Sequence, residues 1–397
     1  MGDQKTSRVE LLFVTFNKIK PYLAMVSLQF GYAGMYIVTM LCLKRGMSHY
    51  VLVVYRHAAA TIAVAPFALY FERKIRPKMT ISTFLKILVL AFLEPVFDQN
   101  LYYVGLKYTS ATFASAIVNI LPAITFIMAV LFRLEKVKIK NIRCIAKIIG
   151  TVITLGGAML MTLYKGPVMN LFGSRAGQGH HETSSAGETN KNWVVGTLMV
   201  IASCVGWSGF FILQSFTLKA YPAELSLTSL ICLMGMIEGA AVALVMERHP
   251  AAWALGWDSR ILAPVYSGLI CSAIAYYLQG VVIKERGPVF VTAFNPLCMI
   301  IVAVLAFLIL AEQIHLGSII GAIIIVIGLY SVIWGKSKDY KASSSTLTRE
   351  KGEDLELPIS TTNGNKITTT ATVIDDIDPL GGMSKSEIPM KVPTSHK

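Results

Sequence analysis

Charge is scarce in this chain. Only 15% of its 397 residues are Asp, Glu, Lys or Arg, against roughly 25% in a soluble domain. Apolar residues make up 54%, and the mean hydropathy is +0.59. That balance excludes an ordinary soluble globule. The six cysteines, Cys42, Cys144, Cys204, Cys232, Cys271 and Cys298, form no CxxC pair. Most lie in apolar runs, so they read as small buried hydrophobes and not as a disulfide frame or a metal site. No Walker loop, dinucleotide fingerprint, HExxH helix or nucleophile elbow occurs, so ATP hydrolysis, covalent catalysis and cofactor chemistry have no support. His180-His181 stands in a Gly/Ser/Thr-rich stretch without partner spacing, and no metal is expected there. There is no Asn-x-Ser/Thr sequon and no cleavable signal pattern. The net charge of +13 raises the question of nucleic acid. The stretch from Lys336 onward, however, holds nine basic and nine acidic residues. The excess therefore lies in the apolar region and its short loops, where it orients a chain in a bilayer. No basic stripe interleaved with aromatics is present, which sets nucleic acid aside as a partner.

What is present is a succession of long apolar runs. Ten segments approach the roughly 20 residues a helix needs to cross a bilayer: 21–43, 51–71, 82–103, 108–132, 145–163, 193–214, 225–246, 261–283, 289–311 and 316–334. They define an all-α membrane protein with lipid as its solvent. With the N-terminus cytoplasmic, the inside stretches carry nineteen Lys/Arg and the outside loops eight, so both termini are expected inside. The chain also repeats itself. Lys44 to Arg73 and Lys219 to Arg248 both span 29 residues, and Lys107 to Glu135 and Lys284 to Glu312 both span 28. Gly150-Gly157-Lys165 and Gly321-Gly328-Lys336 share spacings of 7 and 8. Five helices thus match five helices, and an odd number per repeat inserts the second copy upside down. A substrate site is then expected at the bilayer midplane between the halves. The organisation reads as a cytoplasmic tail (1–20), a first repeat (21–163), an extracytoplasmic linker (164–192), a second repeat (193–334) and a disordered cytoplasmic tail (335–397), too polar to fold alone. Gly31, Gly34, Gly156, Gly157, Gly206, Gly209 and the GxxxG pairs Gly235/Gly239 and Gly317/Gly321 mark close helix packing, within the monomer for most of them. Monomer and homodimer both remain open.

The most informative stretch is Leu93 to Pro122, LEPVFDQNLYYVGLKYTSATFASAIVNILP. A carboxylate at a helix centre costs about 2.5–3.5 kcal/mol on insertion scales, so Glu94 and Asp98 are expected to face a bundle interior or a wet cavity. Four residues apart, they share a helix face, and Pro95 between them weakens the ladder. Two carboxylates this close repel, so one can hold a proton near neutral pH. Glu94 and Asp98 are therefore the candidate proton-coupling residues. Candidate substrate-binding residues are Gln29, Tyr32, Glu94, Asp98, Gln99, Asn100, Tyr103, Asn119, Trp207, Gln214, Tyr277, Gln279 and Asn295. Further polar groups in the spans are Tyr36, Arg56, His57, Thr112, Ser115, Ser208, Glu238, Tyr276 and Thr292. Pro95, Pro122 and Pro296 are the candidate helix breakers; the last two free the carbonyls of Val118 and Thr292 as ligand acceptors. A zwitterionic amino acid suits this set: carboxylates for its ammonium, amides and hydroxyls for its carboxylate, aromatic walls for stacking. A buried polar patch that only holds helices together, with Arg56 and His57 neutralising Asp98, accounts for the same residues. Glu135 and Glu312 read as helix-end residues, and Glu238 has no evident role.

The runs SLQFGYAG, YRHAAATIAVAPFA, ERKIRPKMT, LEPVFDQNLYYVGLKYTSATFASA, FRLEKV, GGAMLMTLYKGP, KAYPAELSLTS, RGPVFVTAFNP and GLYSVIWGKSKD resemble the nodulin-21-like, Walls-Are-Thin-related branch of the plant drug/metabolite transporter superfamily, close to the amino-acid transporter subgroup named for Siliques Are Red. The resemblance covers about residues 18–340. It implies ten helices in two inverted EamA-type repeats and bidirectional, passive or proton-influenced movement of amino acids across the plasma membrane. An auxin-carrying relative at the vacuolar membrane lacks the EPxxDQN pattern found here at Glu94 to Asn100. The alternatives are thus a vacuolar carrier of indole-type metabolites or, outside transport, a membrane sensor or adaptor.

Overall fold

The computed structural model describes residues 3–109, 111–135, 142–164, 167, 190–254, 259–310 and 316–353. Among these, every regular element is helical, as the solvent demands: hydrocarbon offers no partners for backbone N–H and C=O groups, and a helix satisfies them within one segment. Helices α1 (Asp3–Lys44) and α2 (His49–Phe71) open the chain. α3 (Ile81–Ala91), a π-helical turn (Phe92–Asp98) and α4 (Gln99–Tyr108) follow as one interrupted rod. Next come α5 (Ala111–Val118), α6 (Leu121–Leu131) and α7 (Ile142–Leu163). The second half runs through α8 (Asn190–Ala220), α9 (Glu224–Met246), α10 (Ser259–Tyr266), a second π turn (Ser267–Ile274), α11 (Ala275–Arg286), α12 (Pro288–Ala293), α13 (Asn295–Leu310) and α14 (Leu316–Glu353).

Among the described residues, eight helices are long and apolar enough to cross a membrane. The two expected spans missing from that set are 82–103 and 108–132, and both are broken. In the first, Pro95 has no N–H to give the ladder, and the turn relaxes to i→i+5 spacing. In the second, Asn119 and Ile120 leave the helix, and Pro122 restarts it in the first turn of α6, where a missing N–H costs nothing. The second half repeats both interruptions, with its π turn before α11 and its break at Phe294 between α12 and α13.

Two expectations need correction. Within the expected N-terminal tail the chain is already helical, since α1 begins at Asp3 and runs through Pro21. Nor does helix stop at residue 334; α14 continues to Glu353, because extending a helix already nucleated by an apolar span is far less costly than starting one. The linker 168–189, His180-His181, Glu312 and 354–397 lie outside the described residues.

Within the compact unit Met1–Thr346, α2 packs along α9 and α7 along α14. The latter contact is backbone on backbone: a Cβ at Gly150 would stand 2.8 Å from both Gly328 O and Val332 N. Gly31, Gly34, Gly206, Gly235, Gly317 and Gly321 likewise meet neighbours inside the chain, while Gly156 faces open space. Phe210, Phe211, Tyr221, Tyr276, Phe290 and Phe294 form the fully buried aromatic centre, and Ile62, Phe67, Leu69, Leu131 and Leu308 stay exposed on the outside, as lipid-facing side chains do.

Candidate functional site

The site grows from the π turn. With i→i+5 spacing, Glu94 meets Gln99 and not Asp98: Gln99 Nε2 donates to Glu94 Oε1 at 3.1 Å. The turn is wider than an α-helix and needs room, which Gly235 of α9 supplies. A Cβ there would come within 2.7 Å of Pro95 Cβ. Gly235 is thus the seat of the π turn, while Gly239, the other half of the GxxxG of α9, faces Val53 and Val54 of α2.

Glu94 is buried and has two further partners. Tyr276 donates its phenolic hydrogen to Oε2, and Arg56 Nη2 stands 3.8 Å from Oε1. Arg56 is held from the second half, Nε donating to Ser272 Oγ at 2.8 Å and Nη2 to Cys271 O at 3.4 Å. The approach is close because Gly268 leaves space; a Cβ there would lie 2.3 Å from Arg56 O. One arginine therefore ties the two π turns together. Asp98 accepts a bond from Ser203 Oγ at 2.5 Å. Arg56 pairs with Glu94, not with Asp98 as the structural reading of the sequence had it. His57 Nδ1 donates to Val53 O at 2.8 Å, which leaves Nε2, 3.4 Å from Tyr276 Oη, as an acceptor in the neutral ring. Tyr276 has one hydrogen and two acceptors in front of it.

These groups line a cavity of about 50 Å³. Its wall includes Tyr32, Tyr36, Arg56, Glu94, Asp98, Gln99, Tyr102, Tyr103, Ser203 and Trp207, with Met35 and Val118. It lies toward the end of the bundle where α1 and α4 finish and α2 and α8 begin. The aromatic wall includes an edge-on pair, Tyr32 and Trp207, with centroids 6.4 Å apart. Gln99 Oε1 is buried and has no hydrogen-bond partner, an acceptor whose desolvation a bound donor would offset. Among the described residues no His/Cys/Asp/Glu group is arranged to hold a metal ion.

Six of the sequence candidates meet in this cavity: Tyr32, Glu94, Asp98, Gln99, Tyr103 and Trp207. Gln279 stands behind it, donating to Tyr32 Oη at 2.7 Å, and Gln214 donates to Tyr276 O at 3.4 Å. The others are not in its wall. Asn100 and Asn119 turn back onto their own helices, to Val96 O at 2.7 Å and Ser115 O at 2.9 Å. Gln29 is buried with its oxygen unpartnered, and Tyr277 and Asn295 are half-buried. Tyr276, not Tyr277, reaches Glu94. Ser203 and Tyr102 were missed: a serine in an apolar helix carries no signal by itself, and Tyr102 reads as an ordinary interfacial aromatic. Pro95 lies in the π turn, and Pro122 and Pro296 each restart a helix just after a break. Glu135 pairs with Lys147 at 3.1 Å and with Lys336, a helix-end role as expected.

The sequence profile described as the EamA-like transporter family matches residues 19–163 and 194–334. Three WAT1-related proteins of Arabidopsis thaliana are similar. One is 61% identical over 81% of this chain and 85% of its own, a second 60% identical over 87% and 92%, and a third 56% identical over 90% and 97%. A solved crystal structure 16% identical in sequence aligns over 80% of this chain and 98% of its own with a TM-score of 0.58, a likeness of fold alone.

Proposed function

The chain belongs to the EamA-like transporter family, a family of membrane transporters, and on that premise we propose that it carries amino acids across the plasma membrane by alternating access. The observation that carries this reading is the charge inventory of the cavity. Two carboxylates, Glu94 and Asp98, face one guanidinium, Arg56. A zwitterion brings an ammonium for Asp98 and the unpartnered Gln99 oxygen, and a carboxylate for the positive charge of Arg56. An indole carboxylate has no ammonium to offer Asp98 or the Gln99 oxygen. The aromatic wall is the one feature that favours an indole-type substrate, and it serves equally for the side chain of an amino acid.

In this reading the interrupted rods α3–α4 and α5–α6 each cross once, giving ten crossings in two inverted repeats. The basic bias favours both termini in the cytoplasm, an orientation that puts the cavity in the outer half of the bilayer. Tyr276 supports a role for protons. With Glu94 ionised it donates to the carboxylate; with Glu94 protonated, the acid donates to Tyr276 and Tyr276 turns to His57. A proton can thus be taken up without leaving any of the three unpaired.

The test is efflux of labelled amino acids, with indole-3-acetate beside them, from oocytes injected with substrate, at matched surface expression. Neutral amino-acid efflux above water-injected controls is the expected result. Efflux of indole-3-acetate alone would replace this reading with the indole one.

A further inference from the structure

The two repeats end their second helices alike: α2 runs into Glu72-Arg73 and α9 into Glu247-Arg248. The glutamates are 175 residues apart, the shift that also relates Lys44 to Lys219. The same shift carries Glu224, Leu225 and Ser226, at the start of α9, onto His49, Tyr50 and Val51, at the start of α2. The molecule thus has one device twice, once at each end, and only one copy is engaged.

At the inner end, buried Glu72 accepts Leu225 N–H at 2.9 Å on one oxygen and Ser226 N–H at 2.6 Å on the other. Ala223, the residue preceding α9, has no side-chain acceptor of its own. A carboxylate of the first repeat therefore caps a helix of the second, where the helix dipole favours negative charge. Beside it, within the second repeat, Lys284 of α11 pairs with Glu224 at 2.8 Å. At the outer end the corresponding groups are near but unjoined. Ser48 makes no cap bond to α2, and among the described residues no hydrogen bond links Glu247 to the first turn of that helix. Yet α2 and α9 run antiparallel, with Leu225 and Ser226 at Glu72 and Gly239 against Val53 and Val54, which carries Glu247, two turns further on, to the level of His49 and Tyr50. His49 is buried, its Nε2 has no partner, and its ring stands 5.6 Å from that of Tyr103 in the cavity wall.

We propose that Glu72 and Glu247 are alternating latches. Glu72 on the start of α9 holds the inner end shut in the present conformation. In the inward-open conformation it lets go, and Glu247 seats on the N–H groups at Tyr50 and Val51 and on His49 Nε2–H. Because α2 and α9 lie along one another, rocking that opens one end closes the other. Each latch therefore stabilises one state, and removing it shifts the population toward the state the other holds. The proposal rests on the carrier reading above, but its test needs no substrate.

The test uses Met35→Cys as a reporter in the cavity wall; the native cysteines at Cys42, Cys144, Cys204, Cys232, Cys271 and Cys298 are buried. A membrane-impermeant maleimide is applied to sealed vesicles from either face, and the chain without the reporter serves as control. Glu72→Ala removes two charge-assisted hydrogen bonds and is expected to slow labelling from the outer face by about tenfold or more. Glu72→Gln, the variant more certain to fold, moves it the same way by less. Glu247→Ala is expected to slow labelling from the inner face. The double variant returns both rates to within about twofold of the reporter parent, which a misfolded chain would not do. Shifts of the same sign in Glu72→Ala and Glu247→Ala, or a double variant that stays as slow as Glu72→Ala, would overturn the latches. A chain that shows the shifts but moves no amino acid would keep the latches and remove the substrate reading; flux without the shifts would do the reverse.

Discussion

Glu94 has partners on three sides, and each limits what the others can do. Removing Arg56 leaves a buried carboxylate uncompensated, a change that costs about 3–5 kcal/mol in comparable pairs. Arg56→Ala is therefore expected to lower the amount of folded protein in detergent, and Glu94→Gln added to it to restore much of the loss, measured by fluorescence-detected size exclusion. Glu94→Gln alone cannot release a proton, so the rise and fall of flux with pH should flatten in it while the Tyr276 bond persists. If Glu94→Gln and Asp98→Asn both keep the parent's pH profile, proton linkage is gone from this account. Much at this scale was legible in the sequence, because a carboxylate or amide in an apolar helix stands out against its surroundings. The pairing was not. Helical spacing places Glu94 beside Asp98, whereas the π turn joins Glu94 to Gln99, and Arg56 pairs with Glu94.

At the scale of elements, the interruptions matter more than the helices. Gly235→Leu would drive a side chain into Pro95 across a gap where even a Cβ comes to 2.7 Å. Overpacking of this kind costs about 1–3 kcal/mol. Because the π turn is the softer partner, the expected outcome is lost flux with surface expression retained. Gly150→Leu meets backbone atoms of α14 on both sides, which cannot move aside, and should instead lower the melting temperature in detergent. Equal effects of the two substitutions on melting and flux would contradict this division. Pro95, Pro122 and Pro296 marked the breaks in advance. The reach of α1 back to Asp3 and of α14 on to Glu353 was not legible, since polar sequence without an apolar face has no periodic signal to betray a helix extended from a neighbouring span.

At the scale of the whole molecule, the repeat was visible in spacing before any coordinate: Lys44 and Lys219, Lys107 and Lys284, Gly150 and Gly321. What spacing does not convey is that the π turn and the broken helix also recur, nor that Arg56 of the first half is held by Ser272 and Cys271 of the second. Those contacts make the cavity a property of both halves, though most of its wall comes from the first. The most direct measurement is efflux of a labelled neutral amino acid by the Asp98→Asn variant beside the parent, at equal surface expression. Loss of at least about tenfold is expected, the weight of one charge-assisted contact to the substrate ammonium. Undiminished efflux from Asp98→Asn would place the substrate elsewhere and contradict the account at its centre.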